Sequence, residues 1–342
     1  MEQHRVQLGN QLSILENNNH NMQTLLNKVK EIFDNEQFLH EPQELYAPIE
    51  YTLRLGGKRL RPAMLLAANQ LFGGNINQVA DAAIGIETFH NFTLLHDDLM
   101  DKSPLRRGQP TVYRKWDENT AILSGDTMFA LSWRYFLRQP HPKLQEILNC
   151  FNETAIQVCE GQQYDMNFET MDNITIDDYM MMIRLKTAVL LAGALKIGAL
   201  YAQAPEEDVE NLYGFGIHLG LAFQLQDDLL DGFGDVAVFG KQTGQDIRDN
   251  KKTYLILRAL QLANEGQRAE LRALFADTPS DSDAKVARVL EIYQQIGLRE
   301  KVEDAIQAEF SKAQRHLDAV RVDTTAKIPL WQLMDMLLGR KK

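Results

Sequence analysis

Apolar residues in this chain recur at steps of three and four, the spacing that aligns one face of an α-helix. Leu25, Leu26, Val29, Ile32 and Phe33 set that rhythm from Met22 onward. The polar, Asn- and Gln-rich residues 1–20 ahead of them are expected to be a frayed lead-in. Alternating strand-like runs bounded by hairpin turns are absent, so the pattern predicts an all-α protein. No solenoid-length repeat is present, and nothing resembles a linker that would split the core, so residues 21–342 are expected to form a single all-helical domain. Thr175-Ile176-Asp177-Asp178 has the spacing of a capping box and predicts a helix start ahead of Lys186. The polar, acidic run over residues 277–283 predicts a surface loop before an amphipathic C-terminal helix pair.

Two of the apolar helical runs end in aspartates. In Leu94-Leu95-His96-Asp97-Asp98-Leu99-Met100-Asp101, Asp97 and Asp101 are four apart and share a face, with Asp98 one step round. The arrangement returns in Phe223-Gln224-Leu225-Gln226-Asp227-Asp228-Leu229-Leu230-Asp231. Three carboxylates this close repel one another unless a cation joins them. Hard oxygen ligands clustered without cysteine point to Mg²⁺ or a similar ion. One such cluster reads equally well as a solvated helix end. Two, each closing a strongly apolar helix, do not. Opposed across a cleft, they would form a pocket with negative walls for several divalent ions.

Composition narrows the class. The chain has 342 residues, 44% of them hydrophobic, enough for a large core. Its formal net charge of −11 argues against a general nucleic-acid binder, which needs a basic surface. Cys150 and Cys159 have neither metal-ligand spacing nor the density of a disulfide scaffold, as expected for reduced thiols in a cytoplasmic protein. No signal peptide is visible. The uncharged run over residues 211–226 is interrupted by His218 and three glycines, so no transmembrane segment is expected.

Cations and glycines surround the aspartates in sequence. Leu55-Gly56-Gly57-Lys58-Arg59-Leu60-Arg61-Pro62 lets backbone approach an anion, although it lacks the spacing of a Walker loop. Pro104 is expected to stop the first aspartate helix. Arg106 and Arg107 follow on extended chain, pointing in opposite directions and able to serve two anions with guanidinium forks. His90 stands two turns before Asp97, about 20° away on an ideal wheel. Lys186-Thr187 interrupts an apolar face, where a lysine needs an anion or must snorkel to water. Beyond the second aspartates, a glycine-bearing segment over residues 232–240 leads to Lys241, then to Gly244, Asp246, Asn250, Lys251 and Lys252. The chain closes on Arg340-Lys341-Lys342. Alone, each piece has a bland reading as surface or core. Together they describe a receptor for metal-bound diphosphates, with cations on the phosphate oxygens and aspartates acting through Mg²⁺. The apolar helices would wall a dry cavity for a hydrocarbon body.

In this order, GGKRLRP, the histidine before LLHDD, DDLMD followed by RRG, the Lys-Thr pair, FQLQDDLLD and GKQTGQDIRDNKK resemble the trans-isoprenyl diphosphate synthase (polyprenyl synthetase) family. The resemblance covers nearly the whole chain from about Tyr46. It implies a helical bundle of the isoprenoid synthase type with a central active-site cavity, a homodimer, and Mg²⁺-dependent head-to-tail condensation. The substrates implied are isopentenyl diphosphate and an allylic diphosphate (dimethylallyl, geranyl or farnesyl). Asp97, Asp98, Asp101, Asp227, Asp228 and Asp231 would then hold three Mg²⁺. Arg106, Lys186 and Lys241 would bind the allylic diphosphate, with Lys251 nearby. Gly57, Lys58, Arg61, His90 and Arg107 would form the isopentenyl diphosphate site, and Thr187 and Gln224 would line the reacting centre.

In the family, bulky residues just upstream of the first aspartates close the cavity floor. Phe92 and Thr93 occupy those places here, as in short-chain enzymes. The first motif lacks the two extra residues of bacterial farnesyl synthases and the double aromatic of eukaryotic ones. This favours a C20 geranylgeranyl product over C15 farnesyl. On an ideal wheel Phe89 lies about 80° from Asp97 and Phe92 about 140°, so Phe89, or Phe129 and Trp133 on the next helix, are further candidates for the floor. A class I terpene cyclase would lack the second aspartate motif, and squalene synthases space theirs differently. A non-catalytic regulatory subunit would show degraded aspartates or arginines. Every expected position is intact here.

Overall fold

The computed structural model describes residues 21–234, 243–276 and 282–338. Lys241, residues 277–281 of the acidic run, the lead-in and the Arg340-Lys341-Lys342 tail lie outside the described residues. The all-α class holds: helices follow one another with a single two-residue strand pair among the described residues. The chain divides into two compact units, one running to His141 and taking in Val322–Met336, the other formed by Pro142–Arg321 and the residues from Leu337 on.

The first unit is built around the helix Ala80–Met100. From Ala82 to Phe89 every residue of it is buried, so it is wrapped on all sides rather than along one stripe. Leu60–Leu71 and Glu118–Phe136 pack against it. Met22–Asn35 begins where the sequence rhythm placed it, with Asn21 accepting from the Thr24 N–H, and buries Met22, Leu25, Val29 and Phe33.

The second unit is centred on Glu206–Phe233, flanked by Val189–Tyr201 and Leu298–Ala319. Glu206, Glu207 and Asp208 fill its first turn, where carboxylates meet the positive end of the helix dipole. The capping box forms as read: the Thr175 side chain accepts from the Asp178 N–H while the Asp178 carboxylate answers the Thr175 N–H. That helix, Ile176–Ile183, widens into a π-helical turn at Arg184–Ala188 before resuming as Val189–Tyr201.

Three expectations need correcting. The first aspartate helix ends at Met100 rather than running to Pro104, because Lys102 turns left-handed at φ +51°. The N–H of Lys102 bonds the Leu99 carbonyl at 3.3 Å and that of Ser103 the Asp98 carbonyl at 2.9 Å, a Schellman closure with Asp101 as the capping residue. Leu105–Arg106 and Gln109–Pro110 pair as a hairpin where only extended chain was expected. Arg107 and Gly108 both have positive φ, the pattern of a type I′ turn, and two strand residues a side are too short to show any alternation. The C-terminal part holds three helices rather than a pair: Ser282–Gln295, Leu298–Ala319 and Ile328–Leu338. Asp283 belongs to the first of these, not to a loop.

The π turn leans on Gly161 of the helix Leu144–Thr170. A Cβ there would sit 2.3 Å from the Lys186 backbone nitrogen, a rigid neighbour that cannot step aside. Gly161→Ala is therefore expected to destabilise the protein by about 1–3 kcal/mol, the usual range for overpacking, as read by urea unfolding. An unchanged midpoint would contradict this account of the turn.

Candidate active-site residues

The Schellman closure decides how the first acid cluster is presented. Asp97 is half-buried in the last turn and Asp101 is exposed at the cap, while Asp98 faces inward at 5% exposure. Arg106 answers Asp98 with a fork: Nε lies 2.9 Å from both carboxylate oxygens and Nη2 2.6 Å from Oδ1. Burial pushes the Asp98 carboxyl up, opposed by Arg106. Burial pulls Arg106 down, but Asp98, with Asp97 and Asp101 behind it, holds it above its ordinary value. Arg106, expected to bind phosphate, is thus already engaged by one of the expected metal ligands.

The hairpin sends Arg107 the other way. Its guanidinium lies so close to Gly57 that a Cβ there would come within 2.6 Å of Nη2, and Gly57 has φ +130° besides. The backbone angle is what requires glycine here, since the Arg107 guanidinium is the end of a long side chain that could give way. Arg59 turns left-handed at φ +47° to start the helix Leu60–Leu71, which carries Arg61. Arg61 Nη1 donates to His90 Nε2 at 3.0 Å. Burial, then Arg61 and Arg107, push His90 well below its ordinary value, so the ring is neutral. With Nε2 accepting, the proton resides on Nδ1. Burial also brings Arg61 down to about 10. Gly57, Arg61, His90 and Arg107 therefore share one neighbourhood, with Lys58 exposed at its edge.

Three of the four candidate floor residues stack together. Phe89 is fully buried, with ring centroids 5.6 Å from Phe92 and 5.9 Å from Phe129, and Phe92 lies 5.4 Å from Phe129. His96 joins edge-on, 4.9 Å from Phe92. Trp133 is half-buried on the same helix as Phe129.

In the second unit, Thr187, Gln224 and Asp228 form a chain of hydrogen bonds. Thr187 Oγ1 donates to Gln224 Oε1 at 3.3 Å, and Gln224 Nε2 donates to Asp228 Oδ1 at 3.1 Å. The Tyr179 hydroxyl closes it on Asp228 Oδ2 at 2.5 Å. Asp228 is 3% exposed, and burial raises it to about 6 against these donors. Asp231 accepts from the N–H groups of Gln245 (3.2 Å) and Asp246 (3.0 Å). Asp227 is half-buried. Asp246 is raised to about 7 by burial and then by Asp231 and Asp228. Lys186, on the π turn, donates to Asp165 at 2.5 Å. The Lys251 side chain is exposed, and its N–H closes the turn on the Asp246 carbonyl.

Among the described residues, no three His, Cys, Asp or Glu side chains converge as an all-protein metal cage would require. The donor set present, pairs of carboxylates at helix ends, suits Mg²⁺. That ion usually takes one or two carboxylates and completes its shell with water and substrate phosphates.

A polyprenyl synthetase family model matches residues 42–293. The geranylgeranyl diphosphate synthase of Methanosarcina mazei is 35% identical over 303 residues, 88% of this chain and 91% of that one. The chain belongs to the polyprenyl synthetase family. Its fold agrees, since a crystal structure of a geranylgeranyl pyrophosphate synthase superposes with a TM-score of 0.86 at 42% identity, covering 94% of this chain and 98% of that one. A polyprenyl synthase from Caulobacter crescentus, solved with calcium and isoprenyl diphosphate, gives a TM-score of 0.82 at 28% identity, with 94% and 96% covered. The class expected from the motifs, a prenyltransferase, is the class of this family.

The motifs read from the sequence did not include Glu87, Asp165 or Tyr179, which the structure sets in the field of Arg61, on Lys186 and on Asp228 respectively. The signal in sequence was faint. Each is a lone polar residue on a helix whose partner comes from elsewhere in the chain. In this polyprenyl synthetase the His90 ring is expected to stay neutral, protonated at Nδ1, from pH 6 to 8, as ¹⁵N-histidine NMR would report. A titration midpoint near 6.5 would contradict the placement of His90 against Arg61.

Proposed function

We propose that this chain condenses isopentenyl diphosphate head-to-tail with an allylic diphosphate in a Mg²⁺-dependent reaction, stopping at C20 geranylgeranyl diphosphate in preference to C15. The observation that carries this is the Gly57–Arg61–His90–Arg107 neighbourhood, a cationic site apart from the aspartates' own counterion Arg106. A terpene cyclase takes one diphosphate and has no use for a second cationic site. The geranylgeranyl products named for the Methanosarcina relative and for the 42%-identical structure support the C20 length. The packed Phe89, Phe92 and Phe129 rings support a short product as well.

In this reading Asp97, Asp98, Asp101, Asp227, Asp228 and Asp231 hold the metal, three ions being expected. The calcium and isoprenyl diphosphate bound by the Caulobacter protein support an oxygen-ligated divalent ion beside a diphosphate. Bound Mg²⁺ supplies charge that stabilises the departing diphosphate. Arg106, Lys186, Lys241 and Lys251 bind the oxygens of that same diphosphate. Arg106 and Lys186 exchange Asp98 and Asp165 for phosphate as they do so. Thr187 and Gln224 present side-chain dipoles to the carbocation left when the allylic C–O bond breaks. Gly57, Lys58, Arg61, His90 and Arg107 hold isopentenyl diphosphate so that its double bond attacks that carbon. The new C–C bond forms, and a proton passes to the departing diphosphate. No protein nucleophile takes part, and excluding water protects the cation.

Residues 21–342 act as one catalytic domain in this proposal, within a cytoplasmic homodimer. Ile122 and Leu123 lie exposed on the helix Glu118–Phe136, apolar side chains that a second copy would cover. No helix among the described residues is long and apolar enough to cross a membrane.

The test is incubation with Mg²⁺, labelled isopentenyl diphosphate and dimethylallyl, geranyl or farnesyl diphosphate in turn, followed by chromatography of the dephosphorylated products. A linear C20 alcohol that disappears with EDTA is expected. A cyclic hydrocarbon, or no elongation by the purified chain alone, would overturn the proposal.

A further inference from the structure

Beneath the Arg61–His90–Arg107 neighbourhood lies a carboxylate that the reaction above does not use. Glu87 sits one turn before His90, at 3% exposure. Asn91 holds it from the next turn, its Nδ2 reaching Glu87 Oε1 at 3.3 Å and the Glu87 carbonyl at 2.8 Å. Glu87 Oε2 is buried with no hydrogen-bond partner, and so is Arg61 Nε. After burial, which raises the Glu87 carboxyl, the groups acting on it are Arg61, Arg107 and Arg59 in that order, all favouring its ionised form. Arg59 in turn lies over the Phe33 ring, 4.2 Å from its centroid, and donates to the Leu53 carbonyl at 3.1 Å.

A carboxylate this deep is tolerated only where charge answers it. The converse also holds. Arg61 and Arg107, both acting on the buried His90, repel one another and would splay into solvent without an anion near them. Arg61 Nη1 is committed to His90, while Arg61 Nε and Glu87 Oε2 are both buried without a hydrogen-bond partner and the two side chains act on each other through charge.

We propose that Glu87 is a positioning residue for the isopentenyl diphosphate site, supplying negative charge from below while that site is empty and so keeping Arg61 and Arg107 assembled for the incoming diphosphate. The inference rests on the function proposed above. Without Glu87, the arginines must be regathered when the substrate binds, and the cost falls on that substrate alone.

Glu87→Gln removes the charge at nearly constant volume. The Michaelis constant for isopentenyl diphosphate is expected to rise roughly tenfold, the scale of one lost charged contact. The turnover number and the constant for the allylic substrate should stay close to wild type, and Glu87→Asp should recover part of the loss. A role in packing alone would lower thermal stability and move both substrate constants together. An isopentenyl diphosphate constant that is unchanged or falls would overturn the proposal. Should Glu87→Gln fail to fold, Asn91→Ala serves instead, with a smaller rise expected in the same constant and none overturning it. Arg107→Ala, measured alongside, separates the two levels. If it leaves the isopentenyl diphosphate constant unmoved, the assignment of the basic site itself fails. If it raises that constant while Glu87→Gln does not, only the role of Glu87 fails.

Discussion

Charge concentration is the constraint to which the rest of this structure answers. A protein that handles two diphosphates must gather cations and carboxylates at densities that a folded chain does not tolerate unrelieved. The relief is internal pairing within each unit. Arg106 forks onto Asp98, and Lys186 reaches Asp165. Arg61 and Arg107 sit in the field of Glu87. These pairs are partly buried, so their worth lies less in net stability than in placement: breaking one leaves a charge without an answer. In the proposed function two of these pairs are exchangeable, with phosphate oxygens taking the place of Asp98 on Arg106 and of Asp165 on Lys186.

The helical scaffold turns this constraint into geometry through a few local devices. A Schellman closure at Lys102 leaves Asp101 exposed and Asp97 half-buried while Asp98 turns inward. A two-residue hairpin splits Arg106 from Arg107, one towards the aspartates and one towards Gly57. The π turn at Arg184–Ala188, seated on Gly161, sets Lys186 on Asp165 and Thr187 on Gln224. Insertions of this type into α-helices are frequent at functional sites. Each device departs from regular helix beside a candidate site residue.

Much of this was legible in the sequence. The three-four rhythm gives the all-α class, and the four-residue spacing of Asp97 with Asp101 and of Asp227 with Asp231 gives the acid faces. The divergence of Arg106 and Arg107 was also expected, although from extended chain rather than from a turn. What escaped was of two kinds. The hairpin and the π turn are too short to leave a periodic trace. Glu87, Asp165 and Tyr179 are single polar residues whose meaning depends on a partner distant in sequence, and local pattern carries no record of that pairing. The third C-terminal helix was missed because the break before it is brief and polar, with Asp323 capping a 3₁₀ turn that runs straight into Ile328–Leu338.

The central claim is that the acid clusters grip a diphosphate through a divalent ion rather than serving as solvated helix ends. Thermal unfolding with an unreactive allylic thiolodiphosphate, with and without Mg²⁺, tests it directly, since a ligand that binds only the folded state raises its stability. The expected result is a large rise in Tm that requires the analogue and Mg²⁺ together and is lost in Asp97→Ala and Asp227→Ala. An equal rise in EDTA, or no rise under any condition, would contradict the account.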